Sequence, residues 1–267
     1  MSTIVDPGPA PEPERRGDRE SERGQSPADP RRNLLLAALP ADAYERIAPT
    51  FERMSLENGR VLHRPGEQIR DLYFPIDCMI SVTVRMHDGR TSETAVVGSR
   101  EVVGINAFMG GRETTQTRFV VQIPGDAVRV PAVGLRALFD QHVGVRDVML
   151  RYTQAMIAQV TQNAACNGLH RLEQRYARWL LEVHDRVGHD EVPLTHEFIS
   201  QMLGVRRAGV TDIASRFEEQ GVIHQRRGYI RVVDRVQLEA AACECYRVLA
   251  EEYGRLLGPR VAGADRG

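Results

Sequence analysis

The feature that most constrains this 267-residue chain is the segment PLTHEFISQMLGVRRAGVTDIASRFEEQGVIHQRRGYIRVVD, residues 193–234. Thr195 can cap a first helix with an apolar face. Gly204 can adopt the left-handed conformation of a tight turn, and Val205 then begins a second helix to about Gln220. Gly221 stops that helix, and the turn QRRG separates two short strands. Two helices joined by a short glycine turn and followed by a hairpin predict a winged helix-turn-helix.

Arginine placement indicates what this motif binds. Arg206 and Arg207 stand at the start of the second helix, where side chains reach base edges and the helix dipole attracts phosphate. The alternative is a structural pair of helices whose arginines are merely solvated. The arginines of the wing favour DNA. The predicted DNA-contacting residues are Thr195, Arg206, Arg207, Gly209, Thr211, Asp212, Arg226 and Arg227.

Composition limits the class of protein. The formal net charge is −1, so a nucleic-acid surface must be a local patch. All 35 basic residues are arginine, and the planar guanidinium suits phosphate and guanine edges. No signal sequence and no apolar run of about 20 residues is evident, which predicts a cytoplasmic protein without membrane contact.

The four cysteines fit no zinc-ribbon or iron–sulfur spacing, so neither a metal site nor a cofactor is predicted. Cys166 reads best as a small buried hydrophobe, with a redox switch as the alternative. Cys243 and Cys245 are expected on one helix with diverging side chains that do not pair easily.

Short segments with strand-like patterns make up most of the N-terminal half after a polar tail. Residues 1–32 are rich in Pro, Glu, Arg, Asp and Ser, which predicts a disordered tail. Asn33 can cap short helices, and from Leu56 onward short apolar runs alternate with turn dipeptides. The run ISVTVRM alternates strictly, and HDGR is typical of a hairpin turn. Several short strands at regular spacing favour a small antiparallel barrel or roll.

A long helical stretch follows from Val133, with a break expected at Gly168. One stripe on it approximates a heptad seam, which predicts a dimer interface in which the polar residue fixes the register. The same stripe could instead pack on the chain's own barrel. The residues of this predicted seam are Met149, Tyr152, Met156, Val160 and Asn163.

Together, LTHEFISQMLGVRRAGV and GSREVVGINAFMGG resemble the cAMP receptor protein/Fnr (Crp/Fnr) family of bacterial transcription regulators over about Leu34 to Val233. The resemblance implies an α+β fold: a cyclic-nucleotide-binding-like β-roll (a jelly roll), a long dimerisation helix and a C-terminal winged helix-turn-helix. We expect a tail at 1–32, the sensor roll at 33–140, the dimerisation helix at 141–168, the DNA-binding domain at 169–240, and a helical extension and tail at 241–267.

The resemblance also assigns roles. Thr195 falls on a residue that contacts phosphate, and Arg207 on the arginine that reads guanine. Ala208 and Asp212 stand where the cAMP receptor protein has a base-reading Glu and a second Arg. These two departures predict a different half-site, in which Asp212 accepts from cytosine N4.

The effector pocket implied by the family is degenerate in this chain. The ribose-binding Glu is replaced by Ile105, and the phosphate-binding Arg-Ser pair by Thr115-Gln116, so no strong cAMP response is expected. His63, His87 and His142 are expected to be structural, not haem ligands. The candidate pocket residues are Gly104, Asn106, Arg112, Thr115 and Gln116.

The function predicted from the sequence is a homodimeric transcriptional regulator that reads a palindromic operator in double-stranded DNA. Its further partners would be RNA polymerase and an unknown small-molecule effector. The alternative is a ligand-binding or scaffolding protein whose winged helix binds another protein. No nucleophile elbow, Walker loop or dinucleotide fingerprint is present, so enzymatic activity is not expected.

Overall fold

Two antiparallel sheets form the N-terminal half of the computed structural model, which describes residues 29–87, 91–109 and 115–258. One sheet has the order β1-β7-β3 and the other β2-β6-β4-β5. The strands are β1 Glu52–Leu56, β2 Val61–His63, β3 Asp71–Pro75, β4 Met79–Arg85, β5 Thr91–Val97, β6 Arg118–Ile123 and β7 Gly125–Pro131. The predicted β-roll is therefore confirmed.

Strand burial explains how the roll packs. In β6 the apolar side chains of Phe119, Val121 and Ile123 alternate inward, as expected for a sheet with one solvated face. In β4, by contrast, successive residues from Met79 to Thr83 are buried. One face of β4 contributes to the core of the roll, and Met79 joins the core of the C-terminal half. The C-terminal half therefore covers the outer face of this sheet.

Short helices precede the roll. Asn33 caps α1, Leu34–Ala37, by accepting hydrogen bonds from two backbone N–H groups, as predicted. Helix α2 spans Ala41–Ile47. The predicted tail lies mostly outside the described residues, but its last part does not fit the prediction, because Pro30–Arg32 forms a 3-10 turn with a buried proline.

Two helices connect the roll to the C-terminal half. Helix α3, Ala132–Gln141, ends at His142, which caps the 27-residue helix α4, Val143–Leu169. Gly168 lies inside α4, and the break predicted there comes two residues later, at His170 and Arg171, before the next helix begins at Leu172. Tertiary packing holds this last turn, because Cys166 is buried against the C-terminal extension.

The C-terminal half is a small helical domain with a wing. It consists of α5 Leu172–Val187, β8 Glu191–Val192, α6 His196–Leu203, α7 Arg207–Glu219, β9 Ile223–Arg226, β10 Tyr229–Val232, α8 Arg235–Ala241 and α9 Cys245–Leu257. The wing sheet has the order β8-β10-β9, so a third strand joins the predicted hairpin. Within the described residues, no helix combines the length and the apolar character needed to cross a membrane.

Candidate nucleic-acid interface

The turn between α6 and α7 has the predicted geometry. Thr195 caps α6 through a hydrogen bond from the Phe198 N–H to its hydroxyl oxygen, at 3.1 Å. Gly204 has φ 65°, and the N–H of Val205 then donates to the carbonyl of Ser200 at 2.9 Å. This closes the helix in a glycine turn typical of a C-terminal cap. Helix α7 begins at Arg207, two residues after the predicted start, because Val205 lies in the turn.

Helix α7 has one buried and one exposed face. Val210, Ile213, Ala214 and Phe217 are at most 4% exposed and pack into the core of the domain. The opposite face is exposed, including Arg206, Arg207, Ala208, Thr211, Asp212 and Ser215. This periodicity anchors α7 from behind and presents its first two turns outward. The arrangement is that of a recognition helix.

The start of α7 is well suited to bind a phosphate. Arg206 occupies the N-cap position without a side-chain hydrogen bond to the helix, so the first N–H groups have no cap from it. Free N–H groups and the helix dipole both favour an anion at this end. Within the described ranges, no ion pair engages Arg206, Arg207 or Arg227. Their charges remain available to DNA.

The wing presents its arginines differently. Arg227 and Gly228, with φ 80°, form the two-residue turn between β9 and β10, and Arg227 is exposed. Arg226 lies 5.2 Å from the ring of Tyr229 and pairs with Glu191 of β8. The Glu191 carboxylate therefore competes with phosphate for Arg226, whereas Arg227 has no such carboxylate partner in the described part of the chain.

His196 was not among the sequence candidates, yet it connects three parts of the interface. Its Nδ1 lies 3.0 Å from the Thr211 hydroxyl of α7, and its Nε2 lies 2.5 Å from Oε1 of Gln225 in the wing. Gln225 also donates to Glu218 at 3.0 Å. The imidazole thus joins α6, the recognition helix and the wing. Its position directly after the capping threonine was the available signal.

Two other predicted contact residues have distinct settings. Asp212 is exposed on α7, one turn after Ala208. Gly209 is partly buried, and a Cβ at this position would lie 3.2 Å from Cδ2 of Leu172. A side chain at position 209 would press on α5, so the close approach of α5 and α7 accounts for this glycine.

The stripe predicted as a dimer seam is placed differently by the structure. Met149 and Tyr152 are fully buried in the core of their own chain, and the Tyr152 hydroxyl donates to the Val102 carbonyl at 3.0 Å. Met156 packs against the same core, and Asn163 accepts a hydrogen bond from Arg178 at 2.9 Å. The assignment of Met149 and Tyr152 to a dimer interface is therefore wrong, and the alternative of packing on the chain's own roll holds for them. Val160 is 43% exposed.

A different stripe of α4 is apolar and exposed. Leu150, Ile157 and Val160 are 55%, 61% and 43% exposed, and Thr153 and Ala164 continue the same face. The spacing of these five residues alternates between three and four, which is the period of a coiled-coil seam. Four of its residues lie one position after those of the predicted seam, and Val160 belongs to both.

The predicted effector residues that lie in the described part of the chain have varied settings. Gly104 has φ 100° and starts the 3-10 turn Ile105–Phe108, where a Cβ would approach Cδ2 of Leu72 to 2.8 Å. Asn106 is partly exposed and Gln116 exposed. Thr115 is buried, with its hydroxyl 2.7 Å from that of Thr117. Arg112 lies outside the described residues.

Two of the three histidines considered as haem ligands pack or hydrogen-bond within the fold. His142 accepts hydrogen bonds from two backbone N–H groups at the start of α4, and its Nε2 lies 3.0 Å from Asp42. His63 is buried between the rings of Tyr73 and Phe119, and burial lowers its pKa. His87 is exposed.

Three cysteines for which the sequence predicted no metal site meet His170 at the end of α4. Cys166, His170, Cys243 and Cys245 place one potential ligand atom each within 4.8 Å of one another. The prediction that Cys243 and Cys245 share a helix and diverge is wrong, because Cys243 lies in the connection before α9. The signals were the pairs Cys-x-x-x-His and Cys-x-Cys, which match no standard template.

A roll joined through a long helix to a winged helix-turn-helix with exposed arginines defines a DNA-binding regulator with a sensor domain. Residues 174–241 match the Crp-like helix-turn-helix domain, and residues 53–142 match the cyclic nucleotide-binding domain. Together these matches span more than half of the chain. The chain belongs to the Crp/Fnr family of transcriptional regulators.

Solved structures agree with this fold. FixK2 from Bradyrhizobium japonicum is 17% identical, with a TM-score of 0.62, over 72% of this chain and 98% of that one. A CRP-family transcriptional regulator from Thermus thermophilus is 20% identical, with a TM-score of 0.59, over 72% and 96%. The c-di-GMP-responsive regulator CLP from Xanthomonas campestris is 16% identical, with a TM-score of 0.57, over 72% and 99%. No curated protein matches the chain in sequence.

Proposed function

We propose that this chain acts as a homodimer that binds a two-fold symmetric DNA site, with α7 of each copy in the major groove. The observation that supports this most directly is the exposed, unpaired start of α7 at Arg206 and Arg207, held from behind by a buried apolar face. In this assignment Arg207 reads guanine and Asp212 accepts from cytosine N4. Arg227, Thr195 and the N–H groups of α7 bind phosphates. Arg226 and Thr211 also contact DNA once they release Glu191 and His196, their partners within the protein.

The dimer forms through the exposed stripe of α4. Leu150, Ile157 and Val160 lie on one face, so a second copy in parallel orientation would bury all three residues of each chain. Two copies joined in this way present two recognition helices, which must lie about 34 Å apart to enter successive major grooves. In this role the helix that links the two domains is Val143–Leu169, where the sequence analysis expected it at 141–168.

The sensor roll does not bind cAMP in the manner of the family. Ile105, at the position of the ribose-binding Glu, is 3% exposed within the apolar core and offers no acceptor. Thr115 directs its hydroxyl to Thr117, and neither it nor Gln116 supplies a cation for a phosphate. We therefore expect the roll to respond to a small molecule other than cAMP. The regulator would act in the cytoplasm and contact RNA polymerase at its DNA site.

A binding selection on random duplex DNA, performed with the full chain, tests the proposal. We expect an enriched palindrome in which Arg207→Ala loses preference for one guanine and weakens binding by about 1–3 kcal/mol. Arg227→Ala should instead weaken binding to all sequences by a similar factor. It should also reduce the slope of log affinity against log salt concentration by about one, as expected for the loss of one phosphate contact. Arg247→Ala, an exposed arginine on α9, is the control and should bind as the unchanged protein does.

Absence of enrichment at low salt, both alone and with cell extract added, would contradict DNA recognition. It would favour the alternative in which the winged helix binds a protein. Enrichment of an asymmetric single half-site would contradict the dimer while leaving DNA recognition in place. A specific, micromolar cAMP dissociation constant by calorimetry would contradict the assignment of the roll.

A further inference from the structure

The cysteine and histidine cluster lies where the end of α4 meets the start of α9. Cys166 is in the last turn of α4, and His170 is the residue at which that helix ends. Cys243 lies in the connection before α9, and Cys245 is the first residue of α9. The three cysteines are at most 3% exposed. Residues about 75 positions apart in the chain thus converge at the junction between the linking helix, the DNA-binding domain and the C-terminal extension.

Two of the distances between the ligand atoms match those around one tetrahedral metal ion, and the remaining distances are at most 4.8 Å. A zinc ion with Zn–S bonds of about 2.3 Å and a Zn–N bond of about 2.0–2.1 Å separates two sulfurs by about 3.8 Å and a sulfur from a nitrogen by about 3.6 Å. Here Sγ of Cys166 and Sγ of Cys243 are 3.5 Å apart. Sγ of Cys245 and Nδ1 of His170 are 3.6 Å apart. All four atoms fall within 4.8 Å of one another.

The atoms around the cluster are arranged as supporting groups of a metal site. Nε2 of His170 lies 3.2 Å from Oε1 of Glu244, which fixes the ring so that Nδ1 is the nitrogen facing the cysteines. A ligating histidine usually has such a carboxylate on its second nitrogen. Nε2 of Gln162 donates to Sγ of Cys245 at 3.0 Å, a contact that stabilises a thiolate.

The surrounding charge also fits. Three thiolates, a neutral imidazole and a divalent cation sum to one negative charge. Arg175 and Arg178 are 9% and 3% exposed, and both interact electrostatically with Cys166 and Cys243. Arg178 is already paired with Glu182, so Arg175 is the guanidinium that can compensate that charge within the protein.

We propose that Cys166, His170, Cys243 and Cys245 bind one Zn²⁺ ion in a closed tetrahedral site. Thiolate and imidazole ligands in this geometry select zinc, and four protein ligands leave no position for a reacting water. An iron–sulfur cluster is disfavoured because its cysteines bind different irons, which sets their sulfurs further apart than in this cluster.

The site fastens the C-terminal extension to the end of the linking helix. Arg175, one turn into α5, also donates to the carbonyl of Leu203, directly before the helix-turn-helix glycine. A metal at this junction therefore stabilises the connection between α4 and the DNA-binding domain. Zinc binding itself does not depend on the proposed DNA recognition, so the two proposals can fail separately.

The first test is the metal content of the full chain, purified without chelator, by mass spectrometry. We expect one zinc per chain, and Co²⁺ exchanged into the site should give the visible absorption of a tetrahedral thiolate complex. Cys243→Ser should abolish stoichiometric binding. Cys78→Ser is the control, because Cys78 is buried in the roll and burial raises the pKa of its thiol to about 12.

A second pair of variants, which keeps all four ligands, tests the proposal even if Cys243→Ser fails to fold. Glu244→Gln keeps all four ligands and should weaken zinc affinity by about 10–100-fold in competition with a chelator. Glu251→Gln, the same exchange at an exposed position of α9, should leave the affinity unchanged. A metal-free chain that does not take up added Zn²⁺, a Cys166–Cys243 disulfide, an iron–sulfur spectrum, or equal affinity in both Glu variants would each overturn the proposal.

Discussion

At the scale of single residues, Glu93 of β5 connects the sensor roll to the DNA-binding domain. Its carboxylate accepts hydrogen bonds from Ser81 of β4 at 2.5 Å and from Nε1 of Trp179 in α5 at 3.4 Å. Glu182 and Arg186 of α5 also act on it electrostatically. Burial is the largest influence and raises the pKa of Glu93 from 4.5 to about 8.

This raised pKa predicts a stability that depends on pH. A carboxyl group that holds its proton more tightly in the folded state stabilises the fold fully below pH 4.5, and the contribution is lost as the pH rises to about 8. Glu93→Gln, which resembles the neutral acid, should therefore flatten the decline of unfolding free energy over this range. Denaturant titrations at several pH values would measure it. Identical pH profiles for the two proteins would contradict the prediction.

At the scale of elements, α4 has three faces with separate partners. One face, with Met149 and Tyr152, completes the core of the roll. A second meets α9, where Ala155 packs with Tyr253 and Leu256, and the Tyr253 hydroxyl donates to Gln159 at 2.8 Å. The third is the exposed stripe that we assign to the partner copy. A helix buried on two sides accordingly carries apolar residues around most of its circumference.

The position of Ile157 within this stripe predicts the oligomeric state. Ile157→Glu would place two like charges in the seam of a parallel dimer, and a buried unpaired charge is costly. We expect the dissociation constant of the dimer to rise at least about tenfold, which corresponds to a loss of about 1.4 kcal/mol of binding free energy. Sedimentation across a concentration series would measure this.

The matched control is Val236→Glu on α8, where the side chain is 78% exposed and lies outside the stripe. It should leave the oligomeric state unchanged. A monomeric native chain, or a dimer equally stable in both variants, would place the interface elsewhere.

The elements differ in how far the sequence could predict them. The α6–α7 turn was predictable because Thr195, Gly204 and the apolar spacing act locally. The assignment of Met149 to the seam was wrong because Met149 and Leu150 are both apolar, and only the position of the roll decides which one is buried. The cysteine cluster was missed because Cys166 and Cys243, 77 residues apart, are brought together by tertiary packing alone. The pairing of Arg226 with Glu191 depends on a two-residue strand without a sequence signal of its own.

At the scale of the whole molecule, the sensor and the DNA-binding domain are joined by a buried ion pair. Arg186 of α5 donates to Glu101 of the roll at 2.9 Å, and both side chains are at most 4% exposed. The second oxygen of Glu101 accepts from the N–H of Gly98 at 2.6 Å. Charges buried in this way require close contact, since the pair is favourable only while its hydrogen bonds are maintained. The two halves are therefore expected to move as one body, so that a change in the roll is transmitted to α7.

Gly98 offers a way to separate the two halves without altering either core. A Cβ at this position would overlap Arg186, with Cγ only 2.7 Å away, and that part of the side chain is fixed to α5. Gly98→Ala should therefore push α5 from the roll, at a cost of about 1–3 kcal/mol for overpacking. We expect calorimetry to resolve two unfolding transitions and DNA affinity to change, with each domain still folded.

The control is Gly134→Ala, where the nearest atom to the new Cβ is at an ordinary 3.6 Å and the position is helical. This substitution should raise the free energy of unfolding by about 0.5–1 kcal/mol. A single, unshifted transition in Gly98→Ala would show that the contact with Arg186 does not hold the two halves together.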